Sequence, residues 1–457
     1  MYNSKKKCTF ASENEMETIC AISTAYGTGG IAVIRVSGED AIRIVDRLFV
    51  GRHRLADAPA NCIRYGQIVR DTEVLDEVLC SVFRAPHSFT GEDIVEIACH
   101  GSLYIQQTLL QWLVDSGARM AKAGEFTQRA FLNGKMDLAQ AESVADLIAA
   151  QTKAEKDLAL SQLRGSVSNE LGALRERLLH FTSLVELELD FADHEELEFA
   201  DRSELTALAD EIASKLQALI RSFRTGNAIR NGVSVAIIGA PNVGKSTLLN
   251  ALLGEQRAIV SDIQGTTRDT IEDTLVIDGI LFRLIDTAGI RETQDTIEQM
   301  GVERSRHAAE QAQIIIHVVD NEDLRFKIED LRFSGTVINV RNKADLLEHS
   351  AFRIQNSELL ISAKHGDIEP LKQELVRVAR AGMTTETVML SNARHYEAVS
   401  RAYEAIERVR KGLDDGLSGE LLSLDLQDCL AALGEVTGQI TNQEVLSNIF
   451  SKFCIGK

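Results

Sequence analysis

Between residues 18 and 135, short apolar runs alternate with stretches of helical spacing. Ile31–Val36 and Glu77–Phe83 read as strands, and Ala41–Val50 and Tyr104–Gly117 as helices. Together they predict a compact α/β domain. Strand-like alternation then stops from about Asp137 to Arg224. Leu163, Val167, Leu171, Leu174, Leu178 and Phe181 recur at three- and four-residue steps, which predicts one face of a long helix. Leu205, Leu208, Ile212, Leu216, Leu219 and Phe223 repeat the pattern. Val233–Ile238 next reads as a buried strand and Leu248–Leu253 as a helix, with further strands at Leu281–Ile285 and Val337–Val340. Helical spacing returns from His395 to Leu433. The simplest architecture combines α/β and all-α domains. An N-terminal α/β domain spans 18–135, after a disordered extension at 1–17. A helical domain, 136–231 and 387–457, is interrupted by an inserted α/β domain at 232–386. Both joints, near Gly232 and near Thr384 to Val388, are short, so a movement of the insert would reach the helices.

Composition narrows the class. At 457 residues the chain has room for several domains, and its 44% apolar but 5% aromatic content fits helix-rich aliphatic packing. The net charge is −19, where a free-standing nucleic-acid binder would more often be basic. Residues 1–135 are nearly balanced, with 15 Lys+Arg against 16 Asp+Glu, whereas residues 136–231 carry 10 against 18. Any RNA contact therefore needs a local patch or a basic partner. The acidic run Glu186 to Asp201 reads as a solvated helix end rather than a metal cluster, and His100, His180 and His194 have no ligand partners at suitable spacing. The seven cysteines are odd in number and lack a C-x-x-C pair, which fits a reduced cytoplasmic setting. The first residues lack the apolar core of a secretory signal, and no apolar run approaches a membrane span.

Chemistry enters at GAPNVGKST, residues 239–247. Gly239, Gly244, Lys245 and Ser246 fill the pattern G-x-x-x-x-G-K-[ST] between a predicted strand and a predicted helix, the context of a phosphate-binding P-loop. Backbone N–H groups from Asn242 through Val243 to Thr247 would surround the phosphates, Lys245 would reach the β and γ oxygens, and the Ser246 hydroxyl would ligate Mg²⁺. Further tags follow in order. Asp286, Thr287, Ala288 and Gly289 leave a strand end and suit a carboxylate in the outer shell of Mg²⁺ and a γ-phosphate sensor. Asn342, Lys343 and Asp345 follow the next strand, and the Asp345 carboxylate can accept both N1–H and N2–H of guanine, which adenine cannot offer. Ser362, Ala363 and Lys364 fit the last base-contacting loop. Between the P-loop and Asp286 lies Ser261 to Asp269, whose Thr266 and Thr267 can close over the metal. The ordered set predicts GTP binding.

Ile290 occupies the position where Ras-type GTPases place a water-orienting glutamine. Another group must position the water, or hydrolysis is slow. Glu298 and Glu303 are candidate acids, and Arg268 and Arg291 candidate arginine fingers; all four also read as solvated switch-region charge. The chain ends FCIGK. A prenylation box fails because Gly456 is not aliphatic and Lys457 is not a usual final residue. Cys454 is then either a structural thiol or one made reactive by a neighbouring lysine.

These motifs, with GGIAVIRVSG at 29–38, SFTGEDIVEI at 88–97, GEFTQRAFLNGKMDLAQAESVADLI at 124–148, GTTRD at 265–269 and LGEVTG at 433–438, resemble the tRNA-modification GTPase family MnmE, also called TrmE. The resemblance covers the chain after about residue 17. It implies a homodimer through the N-terminal domain, transient G-domain dimerisation, and a heterotetramer with the flavoprotein MnmG that modifies C5 of wobble uridine in tRNA. The group added is of the aminomethyl or carboxymethylaminomethyl type. A tetrahydrofolate derivative, 5-formyl- or 5,10-methylene-tetrahydrofolate, is the implied one-carbon cofactor. The resemblance also implies that K⁺ replaces the arginine finger, held by Asn242 and Thr266 side chains with Ser261 and Ile263 carbonyls, and that Ser246 and Thr267 hold Mg²⁺. Glu298 becomes the water-orienting acid, so the expected catalytic set is Glu298, Lys245 and Cys454. Folate would contact Arg35, Glu96, Lys135 and Lys457. Ala123, where the family often has proline, and Ser102, where it often has glycine, depart from the pattern and bear on turn rigidity.

Overall fold

The computed structural model describes residues 17–190, 202–254, 273–285, 308, 310–319, 335–346, 359–382 and 388–456. The chain forms two compact units, Met1–Ala145 with Thr437–Lys457, and Asp146–Val436.

In the first unit a seven-stranded sheet runs β3-β4-β5-β6-β2-β1-β7. Its strands are β1 (Ile19–Ile22), β2 (Gly29–Ser37), β3 (Phe49–Gly51), β4 (Cys62–Arg70), β5 (Glu73–Phe83), β6 (Ile94–Gly101) and β7 (Arg119–Met120). Pairing is antiparallel except between β1 and β7. One face is covered by α1 (Ala41–Asp46) and α2 (Leu103–Asp115), whose Ile42, Val45, Leu109 and Leu113 pack with Val78, Cys80 and Ile97. The alternating side chains Ile63, Tyr65 and Leu79 point to the other face and are exposed. The expected helix Ala41–Val50 is shorter than predicted. It stops at Asp46, and Phe49–Gly51 pairs with β4, where the Phe49 ring lies in the space left by the missing side chain of Gly66. Two further helices, α3 (Glu125–Leu132) and α4 (Leu138–Ala149), follow β7.

In the second unit α6 (Ser166–Asp190) is the long helix that the leucine spacing predicts, with Val167, Leu171, Leu174 and Leu178 buried, and only Leu163 falls on the preceding α5 (Lys153–Leu163). The break is at Gly165, whose φ of 88° ends one helix before the next begins. Helix α7 (Arg202–Asn231) carries the second leucine stripe as its buried face. A six-stranded sheet follows, ordered β13-β12-β11-β8-β10-β9. It contains β8 (Val233–Ile238), β9 (Asp273–Ile277), β10 (Ile280–Leu284), β11 (Ile314–Val319), β12 (Thr336–Arg341) and β13 (Leu359–Leu360). All pairings are parallel except β9 with β10. Every residue of β8 is buried, as a parallel strand between two neighbours requires. Helices α8 (Lys245–Gly254) and α9 (Glu369–Ala381) pack their leucines against this sheet. The chain then returns to helices α10 (Ala393–Asp414) and α11 (Gly419–Thr437), and α12 (Gln443–Phe450) closes the first unit, where Leu446, Phe450 and Phe453 pack on Leu138 and Ala141.

The second joint of the insert is fastened to the helices. A Cβ at Gly226 of α7 would lie 2.1 Å from the Leu390 carbonyl, so only glycine admits the second joint there. The Leu390 N–H donates to Ser222 Oγ at 3.1 Å, and Gln162 Nε2 donates to the Met389 carbonyl at 2.9 Å. At the first joint Gly232, with φ 79°, packs on Leu281 of β10.

Candidate functional site

The phosphate loop leaves β8 and enters α8. Gly239 and Gly244 have φ of 155° and 97°, and Asn242 holds a left-handed φ of 66°. A Cβ on Gly244 would fall 2.3 Å from Asn342 Nδ2, so glycine is required there both by conformation and by space. Lys245 Nζ donates to the carbonyls of Gly239 and Ala240 at 2.9 and 2.7 Å. Burial pulls its pKa below the ordinary lysine value. Ser246 and Thr247 stand in the first turn of α8, where unpaired N–H groups and the helix dipole favour an anion.

The base side is assembled around Asn342, which is 3% exposed. Its Nδ2 donates to the Val243 carbonyl at 2.9 Å, and its Oδ1 accepts from the Ala363 N–H at 3.1 Å. One buried amide thus ties the phosphate loop to the loop after β13. Lys343 takes a φ of 62°, which turns the chain so that Asp345 faces Ser362. The Ser362 hydroxyl donates to Asp345 Oδ1 at 2.6 Å. That bond, followed by lesser fields from His365 and Lys364, holds the Asp345 carboxyl below its usual pKa and keeps it an acceptor. The sequence placed Asn342 among base contacts. The structure makes it the brace of the site, and adds the Ser362–Asp345 bond that motif spacing does not reveal.

In the first unit Arg35 on β2 and Glu96 on β6 are direct register partners. They form an ion pair, with Arg35 Nε and Nη2 at 2.9 and 2.7 Å from Glu96 Oε1. The guanidinium lies 5.4 and 5.5 Å from the ring centroids of Phe89 and Phe126. Two of the expected folate contacts are thus engaged with each other. Lys135 Nζ donates to the Pro86 carbonyl at 2.8 Å. The C-terminal segment docks on the same unit. Ile455 bridges Ala123, the Gly124 N–H faces the Cys454 carbonyl at 3.4 Å, and Ser23 Oγ donates to the Gly456 carbonyl at 3.2 Å. Gly456 has φ 95°, and a Cβ there would lie 2.1 Å from the Ile22 carbonyl. Ile22 follows Ala21, the register partner of Arg35, and Gly124 shortly precedes Phe126. The exposed Cys454 is thereby held beside the Ala123–Gly124 turn and the end of β1. Cys20, Cys80, Cys99 and Cys429 are instead buried, and burial raises their thiols to about 11–12.

A family model described as the MnmE helical domain matches residues 138–454, and one described as the GTP-binding protein TrmE N-terminus matches 18–135. A tRNA modification GTPase MnmE from Parabacteroides distasonis is 54% identical over 461 residues, covering 97% of this chain and 100% of the relative. The chain belongs to the MnmE family. The Porphyromonas gingivalis MnmE is 51% identical over 467 residues, covering 96% and 98% of the two chains. Among solved structures, the G domain of the T. maritima FeoB iron transporter is similar at 25% identity over 32% of this chain and 98% of that chain, with a TM-score of 0.25.

Ser261, Ile263, Thr266, Thr267, Asp286, Thr287, Ala288, Gly289, Glu298 and Lys457 lie outside the described residues, as do Arg268, Ile290, Arg291 and Glu303. Among the described residues no helix is long and apolar enough to cross a membrane, and no group of three or more His, Cys, Asp or Glu converges on a metal position. His100, which looked isolated by spacing, has its Nδ1 2.7 Å from Asp76 Oδ1 on the neighbouring strand.

Proposed function

We propose that this chain binds and hydrolyses GTP and couples hydrolysis to modification of tRNA at C5 of the wobble uridine. The observation that carries the reading is the Asn342 brace, which joins the phosphate loop and the base loop into one preassembled site in a chain of the MnmE family. The printed names of its relatives, tRNA modification GTPases, give the substrate class.

In this reading the carboxylate of Asp345 receives N1–H and N2–H of guanine, and Ser362 keeps it oriented. Lys245 exchanges its two carbonyl partners for β and γ oxygens. Ser246, at the first turn of α8, and Thr267 would hold Mg²⁺. Asn242, Thr266 and the carbonyls of Ser261 and Ile263 would hold K⁺. Both cations supply positive charge where negative charge grows on the transferred phosphoryl group. Glu298 orients the water that displaces GDP from the γ-phosphorus. The left-handed Asn242 fits this assignment, because a short amide side chain tolerates that conformation and carries an oxygen donor.

Arg35, Glu96, Lys135 and Lys457 are the proposed folate contacts. The half-buried Phe89 ring beside a charged pair suits a heteroaromatic ring with a polar edge, and a tetrahydrofolate derivative would supply the one-carbon unit there. Cys454 is the proposed reactive thiol. The exposed face bearing Ile63, Tyr65 and Leu79 supports homodimerisation through the N-terminal domain. MnmG is the proposed partner and supplies the basic surface that the −19 charge of this chain lacks. The proposed setting is cytoplasmic. The test is mass analysis of wobble-uridine nucleosides in tRNA from a strain lacking this protein. Loss of a C5-substituted uridine supports the reading, and an unchanged nucleoside profile rejects it.

A further inference from the structure

His365 follows directly on the base-contacting Ser362-Ala363-Lys364 loop, and its Nε2 lies 3.6 Å from Asp345 Oδ2. The imidazole is 61% exposed at the side chain, while Asp345 is 22% exposed. The other carboxylate oxygen, Oδ1, already receives the Ser362 hydroxyl at 2.6 Å. The two oxygens of Asp345 are therefore unequal: one is held by a neutral donor, and the other faces a titratable ring.

We propose that His365 tunes the affinity of the site by competing with guanine for Asp345 Oδ2. The inference rests on the reading of Asp345 as the guanine-recognising carboxylate. Guanine offers two hydrogen-bond donors side by side, so its recognising edge is electropositive. A neutral imidazole beside the carboxylate leaves that edge welcome. An imidazolium is drawn to Oδ2, must be displaced or tolerated by a second positive edge, and lowers affinity for a donor–donor base. Among the described residues the charged group that faces His365 is Asp345 from the turn after β12; Lys364, which also acts on Asp345, and Asp367 are its neighbours in the loop. The backbone of the loop does not depend on the ring: the His365 N–H donates to the Ser362 carbonyl and the Asp367 N–H does the same. Replacing the ring therefore leaves the loop in place. Histidine is the side-chain type that changes charge near neutrality, so pH 7.5 and pH 5.5 are the two conditions to compare. An exposed pair of this kind is weak, so the expected change is roughly two- to five-fold in affinity.

The experiment measures the Kd of GDP with excess Mg²⁺ by calorimetry on the full chain and on His365→Gln at pH 7.5 and 5.5. Comparing the two proteins at each pH cancels the titration of the phosphate itself. The expected result is similar affinity at pH 7.5 and a wild-type Kd roughly two- to five-fold above that of His365→Gln at pH 5.5. A ratio that does not change with pH overturns the proposal. Asp345→Asn, tested with xanthosine diphosphate, separates this from the reading it rests on. Xanthine replaces the N2–H donor with an acceptor, so a shift of preference toward it supports Asp345 as the base reader. No shift rejects that reading independently of His365.

Discussion

Gly456→Ala is expected to release the C-terminal segment from its dock while leaving the rest of the first unit folded. Gly456 has φ 95°, a conformation that costs an alanine about 1–2 kcal/mol. The added Cβ would sit 2.1 Å from the Ile22 carbonyl, well inside contact distance, and that oxygen belongs to the sheet backbone and cannot retreat. The segment must move instead. Movement gives up the 3.2 Å bond from Ser23 Oγ to the Gly456 carbonyl, worth about 1 kcal/mol. Together the strain and the lost bond amount to about 2–3 kcal/mol, a drop of roughly 30- to 150-fold in the ratio of docked to undocked tail. Hydrogen exchange read by mass spectrometry reports it directly. Peptides containing Ala123–Gly124 and Ile455, which bridge each other, should exchange faster, and the peptide over β4 and β5 should not. Ile455→Thr is the control, because that side chain is 60% exposed and its backbone bridge does not need the isoleucine. Unchanged exchange at both bridging segments in Gly456→Ala would refute the steric argument.

Other expectations follow from the same geometry. Gly244→Ala puts a methyl group 2.3 Å from Asn342 Nδ2 in a left-handed backbone, so GDP affinity should fall at least tenfold by calorimetry and the melting temperature should drop by a few degrees. Glu125 is pushed up by burial but pulled further down by Arg119, the Lys122 N–H and Arg129, to about 2 from 4.5. Because its folded pKa is depressed, its contribution of about 3 kcal/mol is present above pH 4.5 and lost as pH falls from 4.5 through 2. Glu125→Gln should destabilise the protein at neutral pH, leaving the nearly buried Arg129 short of a charge partner, and flatten the acid limb of a stability profile. Equal GTP turnover in K⁺ and Na⁺ at matched ionic strength would remove the K⁺ assignment; the expected result is faster turnover in K⁺.

The P-loop and the strands around it were legible because a buried parallel strand, a glycine turn and a leucine-rich helix leave signals within a few residues of each other. Helix ends were less legible. The stripe from Leu163 to Phe181 runs across Gly165, so periodicity alone started the long helix α6 a few residues early, on the last residue of α5. Val50 continued the apolar spacing of α1, yet its neighbour Phe49 is drawn into a strand by the open space over Gly66, a contact between positions far apart in sequence. The sites divide in the same way. Lys245 and Asp345 announce themselves by motif. The Asn342 brace, the His365–Asp345 approach and the dock of Gly456 on Ile22 join segments that only the fold brings together. The pairing of Arg35 with Glu96, 61 residues apart, is likewise visible only in the fold.

The most direct measurement replaces Cys454 with serine in the cell and reads the wobble-uridine nucleosides of tRNA by mass spectrometry, with GTP turnover of the purified variant measured alongside. The account predicts that the C5 modification disappears while turnover stays within about twofold of wild type, because the thiol sits in the first unit and the nucleotide site in the second. A normal modification profile in Cys454→Ser would contradict a chemical role for the thiol.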